Sequence, residues 1–466
     1  MKLIFALAAA ASMCLLPAQA AKEVFAHYIV GNSADFSVAD WEEDIQLAQD
    51  VSIDAFVLNV GSQDTNNAAS LPKVFEAANN KNFKLFFSFD YAAMGPWPKD
   101  QVIALMKQFG SDPAYFAEPE TGKPFVSTFE GPGNAGDWPT IKAATNCFFV
   151  PDWTSLPPAD AASAAGGVAD GLFSFIAWPN GDANMTTDSD KLFQTVLQPE
   201  QKKYMMPVSP WFYTALPGLS FPKNWLWRGD SLWDLRWQQV VEVQPDFVEI
   251  LTWNDFGESH YIGPVRKTPA KQLLSAGGAP VDYVTNNPHD GWRKHLAFYI
   301  SQYKNGGGSA AASAAAVGNS SVRVPVNAAA AAPVVKEESA VVYYRTNPAT
   351  ACGTGGTLGN NADFGQSETA PENLVQDNVF FTALLNSPAD VAVTIGGKAQ
   401  TSAFTKTPAG GGAGTYEGNV GFAGNVGDVV VTVTRKGTPV VEVKGGPPIS
   451  KNCAVENWNA VAISAP

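Results

Sequence analysis

From Ala21 to about Asn305 the chain alternates between short, strongly apolar runs and longer stretches with helical spacing, and this alternation narrows the fold more than any other feature. The apolar runs are Val24–Val30, Ala55–Val60, Leu85–Asp90, Pro124–Gly131, Cys147–Trp153, Gly171–Trp178, Met205–Tyr213 and Phe247–Trp253. They are rich in aromatic and β-branched residues and nearly unbroken, as strands covered on both faces are. Between them, Asp40–Asp50 spaces Trp41, Ile45 and Leu47 among polar residues, and Pro98–Phe109 and Asp230–Val243 are similar. Repeated strand–helix units predict parallel strands with crossover helices, and eight units in roughly 285 residues predict an α/β fold, a (β/α)8 barrel. Pro288–Lys304, with Trp292, Leu296 and Tyr299 at helical spacing, is the expected closing helix.

The flanks differ in kind. Lys2, an apolar stretch from Leu3 to Leu16 and the small-x-small site Ala18-Gln19-Ala20 form the pattern of a secretory signal peptide over residues 1–20. The predicted barrel domain then occupies 21–304. Residues 305–335 are rich in Gly, Ala and Ser without a period, which predicts a linker. Beyond it, 336–466 changes to β patterning. Val341–Arg345, Val379–Leu385, Val391–Ile395 and Val429–Arg435 are strand candidates between Gly-rich turns, as in a C-terminal β-sandwich accessory domain. Such a domain could bind polysaccharide or simply pack on the barrel.

Charge and cysteines bound the partners and the compartment. The formal net charge is −14, and it falls by one when Lys2 leaves. So acidic a chain argues against nucleic acid and against anionic membranes. A neutral partner fits better, and 13 Trp residues offer flat faces on which sugar rings stack. Cys147 lies in an apolar run and reads as a buried free thiol, while Cys352 and Cys453 are expected to pair in an exported chain. Asn184-Met185-Thr186 and Asn319-Ser320-Ser321 are glycan acceptor sequences. A secreted, extracellular or cell-wall-associated monomer is the expectation.

Active sites of such barrels lie at the C-terminal ends of the strands. Strand 1 ends near His27, Tyr28 and Asn32; strand 2 supplies Asn59, strand 3 Asp90 and Tyr91, strand 4 Glu130, and strand 5 Asp152 and Trp153. Strand 6 supplies Trp178, strand 7 Trp211 and Tyr213, and strand 8 Trp253, Asn254 and Asp255, followed by Glu258 and His260. A mouth lined with acids and aromatics suits glycoside hydrolysis, in which one carboxyl protonates the leaving oxygen and another activates water or attacks the anomeric carbon. Any one acid could instead cap the next helix. The closely spaced Asp255 and Glu258, with Gly257 between them, are the sharpest feature. The chain has no G-x-S-x-G, H-E-x-x-H or Walker A pattern, and its four His, at 27, 260, 289 and 295, lack metal-like spacing. No metal and no cofactor are expected.

Several of these segments carry a resemblance. Val24-Phe25-Ala26-His27-Tyr28-Ile29-Val30-Gly31-Asn32, Phe87-Ser88-Phe89-Asp90-Tyr91, Ser127-Thr128-Phe129-Glu130-Gly131, Val150-Pro151-Asp152-Trp153 and, above all, Thr252-Trp253-Asn254-Asp255-Phe256-Gly257-Glu258-Ser259-His260-Tyr261-Ile262-Gly263 resemble glycoside hydrolase family 71, the α-1,3-glucanases or mutanases. The resemblance spans roughly Lys22 to Lys304, and Val342-Tyr343-Tyr344-Arg345 resembles the start of that family's accessory β-domain. It implies a (β/α)8 barrel followed by a β-sandwich, and hydrolysis of α-1,3-glucan with inversion. It also implies that the catalytic carboxylates lie in the motif holding Asp255 and Glu258.

Inversion leaves room for a water, which places the two carboxyls roughly 6.5–9.5 Å apart. The expected roles are Glu258 as acid and Asp255 as base, with the reverse open and with Glu130 or Asp152 as substitute partners. Tyr28, Trp153, Trp178, Trp211, Tyr213 and Trp253 are candidates for sugar stacking, and Asn59, Asp90, Tyr91, Asn254 and His260 for hydroxyl binding. Two competitors remain: a non-catalytic glucan-binding protein on the same scaffold, which the presence of both acids disfavours, and a hydrolase for a differently linked glucan.

Overall fold

A computed structural model describes residues 22–216, 223–266, 283–306, 334–352, 356–360, 366–452 and 457–466. The expected signal peptide, nearly all of the expected linker, Asn319 and Cys453 lie outside the described residues.

The parallel strands fall where the apolar runs predict them. They are β1 (Glu23–Ile29), β2 (Ala55–Gly61), β3 (Lys84–Asp90), β4 (Phe125–Phe129), β5 (Phe148–Phe149), β6 (Gly171–Phe173), β7 (Lys203–Val208) and, after an antiparallel hairpin of β8 (Tyr213–Leu216) and β9 (Lys223–Leu226), β10 (Phe247–Ile250). The sheet order is β5-β4-β3-β2-β1-β10-β7-β6. Its two edges are stitched by Asp152, which bridges Phe129 on one side and Phe173 on the other. The result is a mixed α/β fold around a nearly closed eight-stranded parallel barrel. Phe25, Phe86, Phe116, Phe125 and Phe247 pack edge to face in its interior, with Phe25 and Phe86 centroids 4.9 Å apart.

Helices α1 (Val38–Asp50), α2 (Asn67–Lys81), α3 (Lys99–Phe109), α4 (Trp138–Thr145), α5 (Pro158–Ala164), α6 (Asp188–Leu197), α7 (Leu232–Val243) and α8 (Leu296–Lys304) cover the outside. Helix α1 starts where Ser37 and Asp40 satisfy each other's backbone N–H groups in a capping box. It buries Trp41 and Ile45 toward the strands. The expected closing segment splits in two: a short 3-10 turn at Asp290–Arg293 precedes α8.

Two expectations are corrected. The run Met205–Tyr213 is not one strand: β7 ends at Val208 and Tyr213 opens the hairpin. The runs Cys147–Trp153 and Gly171–Trp178 yield only two- and three-residue strands, because the residues beyond leave the sheet to form the barrel's rim. Val150, Trp153, Leu172 and Phe173 remain in the barrel's core cluster, and Trp178 packs on Phe212 and Trp227 beside the hairpin.

C-terminal to the barrel, antiparallel strands β11 (Ser339–Arg345), β13 (Asn378–Leu385), β16 (Gly414–Gly421) and β19 (Ala460–Ala465) form a sheet of order β16-β13-β11-β19. Strands β14 (Asp390–Ile395), β15 (Lys398–Gln400), β17 (Val429–Arg435) and β18 (Thr438–Val443) form another, of order β15-β14-β17-β18. Val342, Tyr344, Phe381, Val393 and Val431 join the two sheets in one apolar cluster. Alternate residues of the first sheet, Val341, Tyr343 and Phe380, belong to the barrel's own core. That sheet is therefore buried on both faces. Gly291 makes the contact possible, since a Cβ there would lie 2.7 Å from the backbone of Ala462. Polar ties accompany it: Trp211 Nε1 donates to the Trp458 carbonyl at 3.1 Å, and Thr382 Oγ1 to Asp234 at 2.8 Å. Cys147 is a buried free thiol and Cys352 is disulfide-bonded.

Candidate active site

The loop that follows β10 is folded tightly on itself. Thr252 N–H donates to the His260 carbonyl at 2.8 Å, and Ile262 and Gly263 return to Thr252 and Trp253. Within this loop the Asp255 N–H donates to Thr252 Oγ1 at 2.8 Å, and the Glu258 N–H donates to Asp255 Oδ1 at 2.9 Å. Asn254 ties the loop to β1, accepting from the Ile29 N–H at 2.8 Å and donating to its carbonyl at 3.0 Å. The two residues between Asp255 and Glu258 thus make a turn that aims both carboxyls the same way.

They face a cavity of about 410 Å³ at the C-terminal ends of the strands. That volume is in the usual range for a small-ligand site. Its polar lining includes His27, Asn32, Asn59, Asp64, Asp90, Lys223, Asp255, Glu258 and His260. Glu258 is the hub. Its Oε1 lies 2.5 Å from Lys223 Nζ, and its Oε2 lies 3.0 Å from His260 Nε2. The same His260 nitrogen is 3.7 Å from Asp255 Oδ2, and its other ring nitrogen contacts Thr252 Oγ1 at 3.2 Å.

These contacts split the two carboxyls. Burial works against ionising Glu258, but the Lys223 ammonium and the His260 contacts outweigh it and hold the group well below the usual carboxylate range. Asp255 has no such compensation. Burial and the negative charge of Glu258 push it up, against weaker opposition from His260 and Lys223. One neighbour stays charged while the other is pushed toward its protonated form, which is how paired acid–base roles are set. Asp255, Glu258 and His260 also bring one ligand atom each within 4.8 Å of one another, a donor set a cation could take. Lys223 already supplies a positive charge at that place.

The other predicted site residues divide by the face on which they lie. Asn59, Asp90 and His260 line the cavity, with Asp90 Oδ1 accepting from the Ala92 and Ala93 N–H groups at 2.8 Å each. Tyr28 does not: side chains alternate along β1, so His27 points into the barrel mouth while Tyr28 packs on Trp41, 4.6 Å between centroids, and donates to Asp44. Trp153, Trp211 and Trp253 are wholly or almost wholly buried, Trp253 with its ring 4.9 Å from Phe56, so they serve the core. Tyr213 stays buried too, its ring 5.0 Å from that of Tyr283. Asn254 spends its amide on Ile29 rather than on a ligand.

Tyr91 lies under Gly131, where any Cβ would meet its ring. Glu130, at φ 55°, accepts from Ser155 N–H at 2.8 Å and from its hydroxyl at 2.5 Å, while Asp152 is buried and bonded to Thr154. Neither acid is part of the cavity lining. Trp178 stands half-buried beside it, its ring 5.4 Å from His260.

Sequence reasoning did not select His27, Asp64 or Lys223. His27 stands beside Tyr28 at the end of β1, and the unbroken apolar run does not show which of the two faces the cavity. Its Nδ1 is held 2.7 Å from Glu249, whose carboxyl is itself pushed up by burial. Lys223 is a lone cation in an aromatic stretch, and only the hairpin brings it to Glu258.

A carboxyl with its pKa pushed up beside a carboxylate held ionised, in a cavity at the mouth of a parallel barrel, is the equipment of a glycoside hydrolase. The sequence pattern of glycosyl hydrolase family 71 matches residues 20–466, and the chain belongs to that family. It is 34% identical to a mutanase of Penicillium rubens over 94% of this chain and 87% of that protein. It is 33% identical to a glucan endo-1,3-alpha-glucosidase of Schizosaccharomyces pombe over 99% of this chain and 98% of the other. Among solved structures, an endo-alpha-mannosidase of family 99 from Bacteroides thetaiotaomicron aligns over 61% of this chain and 98% of its own, at 12% identity and a TM-score of 0.47.

Proposed function

We propose that this chain is a secreted enzyme that hydrolyses the α-1,3-glucosidic bonds of α-1,3-glucan, with Asp255 as proton donor and Glu258 as the ionised partner. The observation that carries the roles is the pairing of Glu258 with Lys223 and His260, which leaves Asp255 as the carboxyl whose proton is held more tightly than usual. This reverses the roles expected from the sequence. The substrate rests on the relatives, named for mutanase and glucan endo-1,3-alpha-glucosidase activity. Residues 21–304 then form the catalytic (β/α)8 barrel, 305–335 the linker and 336–466 a β-sandwich accessory domain. Among the described residues no helix is long and apolar enough to cross a membrane.

For the reaction, a glucosyl unit enters the cavity with its glycosidic oxygen at Asp255. Proton transfer from Asp255 to the glycosidic oxygen breaks its bond to the anomeric carbon and releases the leaving chain, while a water bonds to that carbon from the opposite face and gives its proton to Glu258, whose negative charge also stabilises the positive charge developing there. Asn59, Asp90 and His27 are placed to hold ring hydroxyls. The resemblance implies inversion, but one oxygen of Asp255 lies within 4.8 Å of one of Glu258, closer than expected. Retaining enzymes hold their carboxyls roughly 5–5.5 Å apart and inverting ones roughly 6.5–9.5 Å. We favour inversion on the family resemblance alone, since Lys223 and His260 hold the Glu258 carboxyl in place and its present separation from Asp255 is nearer the retaining range. The configuration of the first-formed sugar, followed by proton NMR during digestion of α-1,3-glucan, tests this. A β-configured product supports inversion, and an α-configured product assigns Glu258 as a covalent nucleophile instead. Digestion of starch or a β-1,3-glucan in place of α-1,3-glucan would overturn the substrate.

A further inference from the structure

Lys223 reaches the cavity from an unusual support. The hairpin of β8 and β9 is an insertion between β7 and α7, and its outer edge is paired in parallel by β12 (Leu358–Gly359), a strand from the C-terminal part of the chain. Leu358 pairs with Trp225 and Gly359 with Leu226, immediately after Lys223 and Asn224. Side chains add to the ladder. Thr357 Oγ1 donates to Asn224 Oδ1 at 2.8 Å, Trp227 Nε1 donates to Gln366 at 2.8 Å, and the Asn360 N–H donates to the Leu226 carbonyl at 2.8 Å. Asn360 also accepts from the Gly181 N–H on the loop after β6, so it ties the hairpin to the rim of the barrel.

The consequences for Glu258 are geometric. Its Oε1 meets Lys223 at 2.5 Å, and its backbone carbonyl accepts from the Tyr213 N–H at 3.1 Å on the hairpin's other strand. The hairpin therefore grips Glu258 by both backbone and side chain. Lys223 is two-thirds buried in side-chain terms, and it faces Glu258, Asp255 and Asp90 among the charged groups around it. Its pKa is raised, first by Glu258, so it remains an ammonium through the pH range in which the carboxyls titrate.

We propose that Lys223 is a positioning residue for the reaction, keeping Glu258 ionised and oriented, and that the C-terminal segment Thr357–Asn360 completes the active site by holding the hairpin that carries it. The C-terminal part is then a structural component of the catalytic centre. This rests on the glycoside hydrolase reading with Glu258 as the charged carboxyl.

The test compares full-length wild type, Lys223→Met, Lys223→Arg and Asn360→Ala in pH–rate profiles on α-1,3-glucan. In Lys223→Met the uncompensated burial of Glu258 raises its pKa. The acid limb of kcat should move up by about 1 unit or more, with kcat at the optimum falling about 10²-fold, the scale of one positioned acid–base group. Lys223→Arg should restore most of the rate and return the limb toward its original place. Asn360→Ala, distant from the reacting atoms, should shift the limb in the same direction by less. A wild type active on α-1,3-glucan with the acid limb unmoved in a folded Lys223→Met overturns the proposal. So does a fall in rate without a shift, because that is what loss of mere packing would give. A wild type inactive on this substrate overturns the substrate reading instead.

Discussion

Replacing Asn254 by Ala separates a ligand-binding role from a structural one. The side chain is 3% exposed, and its amide makes both of its hydrogen bonds to the Ile29 backbone, at 2.8 and 3.0 Å. Alanine leaves the half-buried N–H and carbonyl of Ile29 without these partners, at up to ~1–3 kcal/mol each. Partial relaxation brings the expected total to about 2–4 kcal/mol. With an unfolding entropy of about 2.1 cal/mol/K per residue over a barrel on the order of 280 residues, that corresponds to a Tm lowered by about 3–7 °C. Asn254 precedes Asp255, so the loosened loop also misplaces the carboxyl proposed as proton donor. The expected kinetic signature is a fall in kcat with KM within about twofold of wild type, because an interaction realised in the transition state is lost and sugar binding is not. Scanning calorimetry at a fixed rate and initial rates of sugar release supply both readings. A Tm within about 1 °C of wild type together with a KM raised tenfold would refute the reasoning and return Asn254 to the sugar-binding role expected from the sequence.

Other consequences follow from the same contacts. Activity should be bell-shaped in pH: it falls as pH drops through the pKa of Glu258, held below the usual carboxylate range, and as pH rises through that of Asp255, pushed above it. Asp255→Asn should abolish the main reaction rather than move the basic limb, and a bell unchanged in that variant would contradict the role. Arg236 is fully buried and held bidentately by Asp190 at 2.9 and 3.1 Å, so Asp190→Ala should cost ~3–5 kcal/mol by stranding the guanidinium, read as a lowered denaturant midpoint. Reduction should lower Tm through the disulfide at Cys352, by the equivalent of about 2–4 kcal/mol, while Cys147 in the folded protein resists thiol reagents. Labelling of Cys147 at the rate of the unfolded chain would contradict its burial.

The barrel was legible because parallel strands buried on both faces write themselves as unbroken apolar runs. The same property hid the direction of each side chain. With no polar–apolar alternation along β1, nothing distinguished the inward His27 from the outward Tyr28. It also hid the hairpin, whose Tyr213 and Trp225 continue the apolar character of β7. Asp255, Glu258 and His260 were legible because one short loop carries all three. Lys223 was not, since its role depends on a hairpin folding back and on β12 arriving from more than a hundred residues away in the chain. The C-terminal strands β14 and β17 were visible by pattern, whereas Gly414–Gly421 and Ala460–Ala465 hold too few large apolar residues to be read as strands before β13 and β11 pair with them.

Sugar release from insoluble α-1,3-glucan by wild type, Asp255→Ala and Glu258→Ala tests the central claim most directly. The account predicts release by wild type and a loss of at least about 10³-fold in each variant, with α-1,3-glucan binding and Tm close to wild type. Release that persists in both variants would contradict it and turn attention to Asp90 and Asp64, the remaining acids that line the cavity.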